Sequence, residues 1–351
     1  MEKNSTLGVK EIAKLSGVSI GTVDRVLHNR PGVAAKTKEK VLAVLENHQY
    51  EPNLIGRALS KKKPIHFVAI IPISSPESAY WDAPKKGIIQ ALDELKNYEV
   101  KIEILLFDQN NRLSFDEQVE TFKSMEVDGL VLAPTFLKES LALSEYCDEK
   151  GILYTYLNSD LPDTNNIAYF GADLFQTGYL AGRLLHNYGN SNCEFLIIHI
   201  SKEMENNHHL IRKEEGLRAY FTDKTLDADI KVLHINDTNI DLIAKQLSDF
   251  LKINPVKYWL VTNSRVSSVA KFIQDNKITD VKLIGFDFLP ENVSYLKSGI
   301  IDFLICHKPI EQGFNAVMAL FHKKVLYKSF EKINFMPIDV ICKENYMYYE
   351  N

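Results

Sequence analysis

The stretch GVSIGTVDRVLHNR, residues 17–30, decides how the first part of the chain folds. Gly17 suits a tight turn, and Ser19 is a good N-cap for a helix that runs from about Ile20 to Leu27. The preceding VKEIAKLSG places apolar residues at helical spacing and stops at the same glycine. Two short helices joined by a glycine-containing turn predict a helix-turn-helix, whose second helix enters the major groove of DNA.

Further short helices are predicted after this motif. Pro31 and Gly32 end the second helix, and a third helix is expected over about 36–48. Pro52 then begins a short helix that runs to about Ser60 and is followed by a basic tail. The first sixty residues are therefore expected to be helical and distinct from the rest of the chain.

The charge of the chain is distributed unevenly. Residues 1–63 hold 12 Lys/Arg against 6 Asp/Glu, a net charge of +6. The remaining 288 residues hold 29 against 40, a net charge of −11, which leaves −5 for the 351 residues. A small basic segment on a larger acidic body indicates one module that faces a polyanion and another with a different task.

The composition favours a cytoplasmic globular protein without membrane association. No apolar run approaches membrane-spanning length, and MEKNSTLGVKEIAKLSG at the start lacks the apolar core of a secretory signal. The cysteines are scattered without CxxC spacing and are expected to be reduced; they are Cys147, Cys193, Cys306 and Cys342.

The sequence contains none of the common motifs of catalysis or metal binding. GxSxG, HExxH and the glycine-rich phosphate loop with Lys-Ser/Thr are absent, so we predict neither an enzyme nor a cofactor. His208 and His209 are adjacent and would face different sides of a helix, so no metal site is predicted there.

From Ile65 onward, buried-strand runs alternate with helical segments. IHFVAIIPI, VKIEILLFD, VDGLVLAP and CEFLIIHI are examples of such strands, and each is followed by a helical pattern. Strands that alternate with helices predict parallel, doubly wound sheets. There are too many units for one sheet of ordinary size, so two α/β lobes are expected, with ligands at the carboxyl ends of the strands.

The N-terminal segment resembles the DNA-binding region of the LacI/GalR family in IAKLSGVSIGTVDRVL, KTKEKV and YEPN. The body resembles, more loosely, the periplasmic-binding-protein-like effector domain of that family, in its ribose-binding-like branch, at AYFGADLFQTGYLAGRLL, LIGFDFLPENV and CHKPIEQG. The resemblance implies an N-terminal all-α helix-turn-helix domain followed by an α/β two-lobed domain with two doubly wound parallel sheets. The implied boundaries are 1–52 for DNA binding, 53–63 for a hinge helix and linker, and 64–351 for effector binding and dimerisation.

The resemblance also implies which side chains contact DNA. Ile20 would pack on a thymine methyl, or in the core, and Arg25 would pair with guanine or contact phosphate. Gly21 would admit close approach, and Leu59 would wedge into the minor groove or else pack against the body. The complete predicted set is Ser19, Ile20, Gly21, Thr22, Asp24, Arg25, His28, Asn29, Asn53, Gly56 and Leu59.

Asp24 departs from the family pattern, which has a serine there that touches phosphate. Because phosphate would repel a carboxylate, two other roles are open. Asp24 could accept a hydrogen bond from a cytosine amino group, or it could orient Arg25 or Arg30 by pairing. Ala34 is a second departure, since a capping serine is common there, and it should weaken the third helix slightly.

For the effector site, the resemblance implies aromatic side chains that sandwich a sugar ring and polar side chains that recognise its hydroxyls. Lys213 is the expected cation, with Arg212 as the fallback, and His307 stands where a glutamine is usual. Asp108 is divided between ligand contact and a turn. The predicted effector-binding residues are Tyr80, Trp81, Asp108, Asn158, Arg212, Lys213, Asn263, Asp287 and His307.

Together these patterns predict a transcriptional repressor that binds a near-palindromic operator as a homodimer and responds to a small ligand, in the first place a monosaccharide. A nucleobase or other effector, or an enzyme with a helix-turn-helix appendage, are the alternatives. Three chain crossings, near Gly171, near 301–302 and near 333–334, are expected to hinge the two lobes.

Overall fold

The computed structural model describes residues 9–27, 30–48, 63–75, 79–161, 163–188, 193–202 and 208–350. The chain divides into two units, Met1–Lys63 and Pro64–Asn351. Within the described ranges no helix has the length and apolar character needed to cross a bilayer.

The first unit contains α1 (Val9–Ser16), α2 (Ile20–Leu27) and α3 (Ala35–Asn47). Gly17 adopts a φ of 63° between α1 and α2, and the Thr22 N–H donates to Ser19 Oγ at 3.1 Å, so Ser19 caps α2 as predicted. Ala34 precedes α3 without a side-chain cap bond. The predicted hinge helix lies outside the described residues. The three helices enclose a small core of Ile12, Ala13, Val23, Val26 and Val41.

Helices and strands alternate through most of the second unit. Its described helices are α4 (Asp82–Glu94), α5 (Arg112–Lys123), α6 (Leu137–Lys150), α7 (Leu174–His186), α8 (His208–Asp223), α9 (Ile240–Ile253), α10 (Val266–Asp275), α11 (Pro290–Ser298) and α12 (Pro309–Leu326). Its described strands are β1 (Ile65–Pro72), β2 (Val100–Phe107), β3 (Gly129–Leu132), β4 (Leu153–Leu157), β5 (Ala168–Gly171), β6 (Cys193–Ile200), β7 (Ala228–Ile235), β8 (Tyr258–Val261), β9 (Lys282–Phe286), β10 (Phe303–Cys306), β11 (Ile333–Phe335) and β12 (Asp339–Ile341).

These strands form two six-stranded sheets, one in each lobe. The first lobe has the order β11-β5-β4-β3-β1-β2, and the second has the order β12-β10-β9-β8-β6-β7. All neighbours pair in parallel except β10 and β12, which are antiparallel. Each lobe thus repeats one doubly wound topology, as predicted, and the carboxyl ends of its parallel strands form one edge of the sheet.

Between its described strands the chain passes from one lobe to the other three times, and the first of these crossings lies where it was expected. The first follows Gly171, because β5 belongs to the first sheet and β6 to the second. The expectation of a crossing at 301–302 is wrong: Asp302 accepts a hydrogen bond from the Leu283 N–H at 2.9 Å and belongs to the second lobe. That crossing follows β10, at residues 307–308. The third lies between β11 and β12, at 336–338, beyond the predicted 333–334, which form β11 itself.

Helices α7 and α8 pack unusually closely in the second lobe. A Cβ atom at Gly178 would lie 1.8 Å from the Lys213 carbonyl oxygen, and one at Gly216 would lie 1.9 Å from the Phe175 carbonyl oxygen. Two glycines therefore allow the backbones to touch, which fixes the position of α8 and of the side chains it carries towards the sheet.

Three cysteines have side chains that the structure describes, and these three are free. Cys147 and Cys306 are buried, and Cys342 is partly buried. Burial raises the pKa of Cys147 to about 12, so its thiol stays protonated and behaves as a small apolar core residue.

Candidate DNA-reading helix and effector site

The exposed face of α2 carries side chains that the sequence assigns to DNA. Ile20 is 50% exposed, and Gly21 and Arg25 are exposed, whereas Val23 and Val26 are buried in the core of the first unit. Half of the Ile20 side chain is open to solvent, so it is available to an apolar partner such as a thymine methyl.

Two of the predicted polar residues on α2 are already engaged within the unit. The Thr22 hydroxyl lies 2.9 Å from Ser19 Oγ, so both hydroxyls bond at the start of the helix. Asp24 Oδ2 accepts a hydrogen bond from Arg30 Nη1 at 3.3 Å, with the two side chains 42% and 57% exposed. Of the two roles open for Asp24, the structure therefore contains the pairing. Five other predicted DNA contacts lie outside the described residues: His28, Asn29, Asn53, Gly56 and Leu59.

Tyr80 and Trp81 lie directly before α4, at the carboxyl edge of the first sheet, and are 8% and 7% exposed. Tyr80 Oη donates to Asn158 Oδ1 at 2.7 Å, and Trp81 Nε1 donates to Gln109 Oε1 at 3.4 Å. The two rings stand at 88° to each other with centroids 5.2 Å apart. Perpendicular rings do not form the parallel walls of a sandwich, so a flat ligand can stack on only one of them.

Asn158 and Asp287 occupy equivalent places in the two lobes, directly after β4 and β9. Both adopt left-handed backbone conformations, with φ of 68° and 71°. Hydrogen bonds from their N–H groups to the neighbouring strands, at 2.9 Å to Phe170 O and 3.1 Å to Ile305 O, hold them there. Non-glycine residues in this region are strained, and such strain concentrates at binding sites.

Lys213 and Arg212, the two candidate cations of the effector site, lie in different environments. Lys213 is 5% exposed, donates from Nζ to Thr262 O at 2.9 Å, and lies 3.7 Å above the centre of the Phe286 ring. Arg212 is exposed, pairs with Glu215 at 2.7 Å, and lies over the Phe175 ring. Lys213 is therefore directed towards the sheet edge, and Arg212 is directed away from it.

The groups beside Lys213 are ionisable and almost completely buried. Burial raises the pKa of Asp287 to about 6, although the nearby Lys213 ammonium opposes that rise. Burial lowers the pKa of Lys213 to about 8, and Asp287 opposes that fall. Burial, with Lys213, lowers the pKa of His307 to about 3, so its imidazole is neutral. His307 Nδ1 lies 3.9 Å from Asp287 Oδ1, too far for a hydrogen bond.

The side chains of two residues predicted to bind the effector form hydrogen bonds within their own loops instead. Asp108 is exposed, and its Oδ1 accepts from the Asn110 N–H at 2.9 Å, which is the turn alternative. Asn263 is buried, donates from Nδ2 to Ile200 O at 2.7 Å, and accepts from the Arg265 N–H at 3.2 Å. Its amide therefore shapes the loop after β8, and a ligand contact there remains a prediction.

Sequence reasoning missed several polar groups near this edge. Gln109 follows the predicted Asp108 and is the residue that contacts Trp81. His199 is completely buried, with Nδ1 2.8 Å from Thr262 Oγ1 and Nε2 2.7 Å from Glu214 Oε2. The hydrogen bond with His199 is the main reason that the pKa of Glu214 falls to about 2. A histidine inside a strand run gave no signal in the sequence, because its partners come from distant segments.

The assembled edge offers one apolar face and several polar groups. The side-chain oxygen of Asn158 accepts the hydrogen bond from Tyr80, so the side-chain N–H groups of Asn158 are donors towards a ligand. Lys213 is a further donor and Asp287 an acceptor. Among the described residues no group of three or more His, Cys, Asp or Glu side chains could hold a metal ion. The arrangement suits an uncharged ligand with an apolar face and hydroxyls at its rim.

Comparison with known proteins places both units in families. Residues 68–324 match the periplasmic binding protein domain, and residues 8–53 match the bacterial regulatory proteins of the lacI family. The chain is 26% identical over 291 residues to catabolite control protein A of Priestia megaterium, with 80% of this chain and 82% of that protein covered. It is 23% identical over 347 residues to the sucrose operon repressor of Streptococcus mutans, with 95% and 98% covered.

Solved structures agree with these matches. The crystal structure of a LacI transcriptional regulator from Bacteroides fragilis superimposes with a TM-score of 0.74 at 28% identity, with 82% of this chain and all of that chain covered. A solute-binding protein from Burkholderia graminis, in complex with D-arabinose, shares the fold with a TM-score of 0.73 at 21% identity, with 83% of this chain and all of that chain covered. The chain therefore belongs to the LacI family of DNA-binding transcriptional regulators, with a periplasmic-binding-protein-like domain that follows the helix-turn-helix along the sequence.

Proposed function

We propose that the protein is a cytoplasmic repressor that binds a near-palindromic operator as a homodimer and releases or retains it according to a sugar bound between the lobes. The observation that carries the sugar assignment is the convergence of Tyr80, Asn158, Lys213 and Asp287 at one buried place. Tyr80 belongs to the first lobe and Asp287 to the second, yet Asp287 contributes to raising the pKa of the Tyr80 hydroxyl, after burial itself.

A sugar fits the chemistry of these side chains. Its C–H face is apolar and can stack on Tyr80 or Trp81, while its hydroxyls both donate and accept. The Lys213 ammonium and the Asn158 amide would donate to hydroxyl oxygens, and the Asp287 carboxylate would accept from hydroxyl hydrogens. Burial strengthens each of these bonds, because little water competes for the same groups.

The fold supplies a way for this ligand to affect DNA binding. Among the described strands and helices the chain connects the lobes at three crossings, so a ligand held by both lobes would favour their closed arrangement. A ligand can shift such an equilibrium only by the difference between its affinities for the two states, and couplings of about 1–3 kcal/mol are usual. In a homodimer, closure would change the spacing of the two reading helices and hence the affinity for operator.

The experiment that tests the sugar assignment is a thermal-shift and calorimetric screen. The panel contains monosaccharides, including D-arabinose, together with sucrose and the nucleobases. We expect a sugar to raise the melting temperature of the second unit and Asp287→Asn to weaken that sugar at least about tenfold, since a lost charged hydrogen bond costs about 1.5–3 kcal/mol.

Asp108→Asn is the matched control, because it changes the same functional group at an exposed turn. It should bind the sugar as the wild type does. A hit confined to nucleobases, or equal losses in both variants, would contradict the assignment. Recovery of the ligand unchanged after long incubation is expected of a regulator, and product formation would instead indicate an enzyme.

A further inference from the structure

The pair formed by Asp24 and Arg30 lies on the face of α2 that meets DNA. Asp24 follows Ile20 by four residues, so the two side chains are neighbours on one side of the helix. Both are substantially exposed, at 42% for the Asp24 side chain and 50% for Ile20. A carboxylate at this place would repel phosphates, although residues 1–63 as a whole carry a net charge of +6.

Arg30 is held beside this carboxylate by two contacts. Its backbone N–H donates to Arg25 O at 2.8 Å, which folds the chain after α2 back onto the last turn of the helix. Its Nη1 donates to Asp24 Oδ2 at 3.3 Å. A guanidinium has five N–H donors in a fixed plane, and the Arg30 side chain is 57% exposed, so donors remain on its outer side.

We propose that Arg30 contacts the DNA backbone and that Asp24 is the positioning residue that holds its guanidinium there. The pair has no net charge, so it removes the repulsion that Asp24 alone would cause. It also orders a long side chain before DNA arrives, so less conformational entropy is lost on binding. Planar arginine donors match the geometry of phosphate oxygens.

The inference depends on DNA binding by the first unit and is independent of the effector. The test measures affinity for two labelled duplexes, one selected by the wild type from a random-sequence pool and one shuffled duplex of equal length. The variants are Asp24→Asn, Arg30→Gln and the double variant, each titrated between about 50 and 200 mM salt. The selection is made with and without the sugar panel, so that a missing effector does not prevent it.

Arg30→Gln should weaken binding to both duplexes about threefold or more at the lower salt and reduce the salt slope by about 0.9 for each protomer bound. Asp24→Asn should also weaken both, by a smaller factor. When Arg30 is already glutamine, Asp24→Asn should not weaken binding further and should relieve the repulsion of the unpaired carboxylate. Arg30→Lys keeps the charge and should restore most of the salt slope while losing part of the affinity, because an ammonium lacks the planar fork.

Three results would overturn the proposal. Tighter binding by Asp24→Asn, with a steeper salt slope, would mean that Asp24 only repels phosphate. An unchanged salt slope in Arg30→Gln would mean that Arg30 makes no backbone contact. Losses that add in the double variant would mean that the two residues act independently.

The chain offers a matched control in α10. Lys271 and Asp275 form an ion pair at 3.0 Å with side chains 45% and 55% exposed, far along the sequence from the DNA-binding unit. Asp275→Asn should leave DNA affinity and salt slope unchanged. Thermal unfolding of each variant separates a structural effect from a binding effect, since an exposed pair contributes little to stability.

Discussion

The charged pair at α2, Asp24 and Arg30, and the charged side chains of the candidate effector site are in opposite physical environments. Asp24 and Arg30 are exposed and in contact, and water and salt screen their attraction. Lys213 and Asp287 are almost completely buried. Burial lowers the pKa of Lys213 and raises the pKa of Asp287, so it favours the neutral form of each. The exposed pair therefore changes the stability of the fold little. The buried charges reduce the stability of the fold, a cost that is typical of residues kept for function.

The largest effect should come from the buried lysine. The pKa of Lys213 is lowered from 10.5 to about 8, so keeping it charged below pH 8 makes folding less favourable. Lys213→Met should raise the free energy of unfolding by about 2 kcal/mol at pH 7, after allowance for the lost bond to Thr262 O. The gain should shrink as the pH rises from about 8 towards 10.5, where the wild-type lysine is neutral in both states.

Arg212→Met is the control for this change, because Arg212 is the neighbouring cation on the exposed side of α8. It should alter stability by less than about 0.5 kcal/mol at any of these pH values. Urea denaturation across the pH range measures both variants. Destabilisation by Lys213→Met with no pH dependence would show that the lysine is not held charged against a desolvation cost.

The second effect is the loss of stability at low pH that arises from His307. His307 has a pKa lowered from 6.5 to about 3, so the unfolded chain takes up its proton at a higher pH than the folded chain. Its contribution to stability is complete above pH 6.5 and is lost as the pH falls towards 3. His307→Gln should therefore make the melting temperature less sensitive to acid between pH 6.5 and 4.5, by an equivalent of up to about 2 kcal/mol.

His209 behaves in the same direction, with a pKa also lowered to about 3 by burial and then by Lys213, so the variant should retain part of the acid sensitivity. A profile for His307→Gln that coincides with the wild type would contradict a buried, neutral imidazole at residue 307.

The smallest effect on stability should come from Gly21 in α2. An added Cβ there would meet only Ser19 Oγ, at 3.8 Å, so the substitution has room. Gly21→Ala should stabilise the first unit by up to about 0.8 kcal/mol, because alanine is the better helix former. The same variant should change which duplexes are retained from a random pool, since a methyl group then stands on the DNA-reading face. A destabilised first unit would show that the first turn of α2 needs glycine at this place.

Sequence reasoning succeeded where the determinants are local. The turn at Gly17, the cap at Ser19 and the apolar spacing of α2 lie within a few residues of one another, and the structure has the helix where they predict it. The choice between Lys213 and Arg212 could not be made in that way. It depends on the rotation of α8 about its axis, which is set by the close packing at Gly178 and Gly216.

Other features depend on contacts between distant segments. The partner of Asp24 became clear only from the way that Arg30 folds back over α2. The crossing expected at 301–302 was misplaced because Asp302 bonds to Leu283, nineteen residues earlier. Asp108 and Gln109 follow the same strand, and only the path of the turn decides which of them meets Trp81. A single sequence without its fold carries no record of these contacts.

The coupling between the two units can be measured directly. Fluorescence anisotropy of labelled operator DNA, with and without the sugar found in the screen, is compared for the wild type and Asp287→Asn. The expected result is that the sugar changes the operator affinity of the wild type by about fivefold to 100-fold, and that Asp287→Asn binds operator equally well but needs at least about ten times more sugar to respond. An identical response in both proteins, or a wild type that binds the sugar without any change in operator affinity, would contradict it.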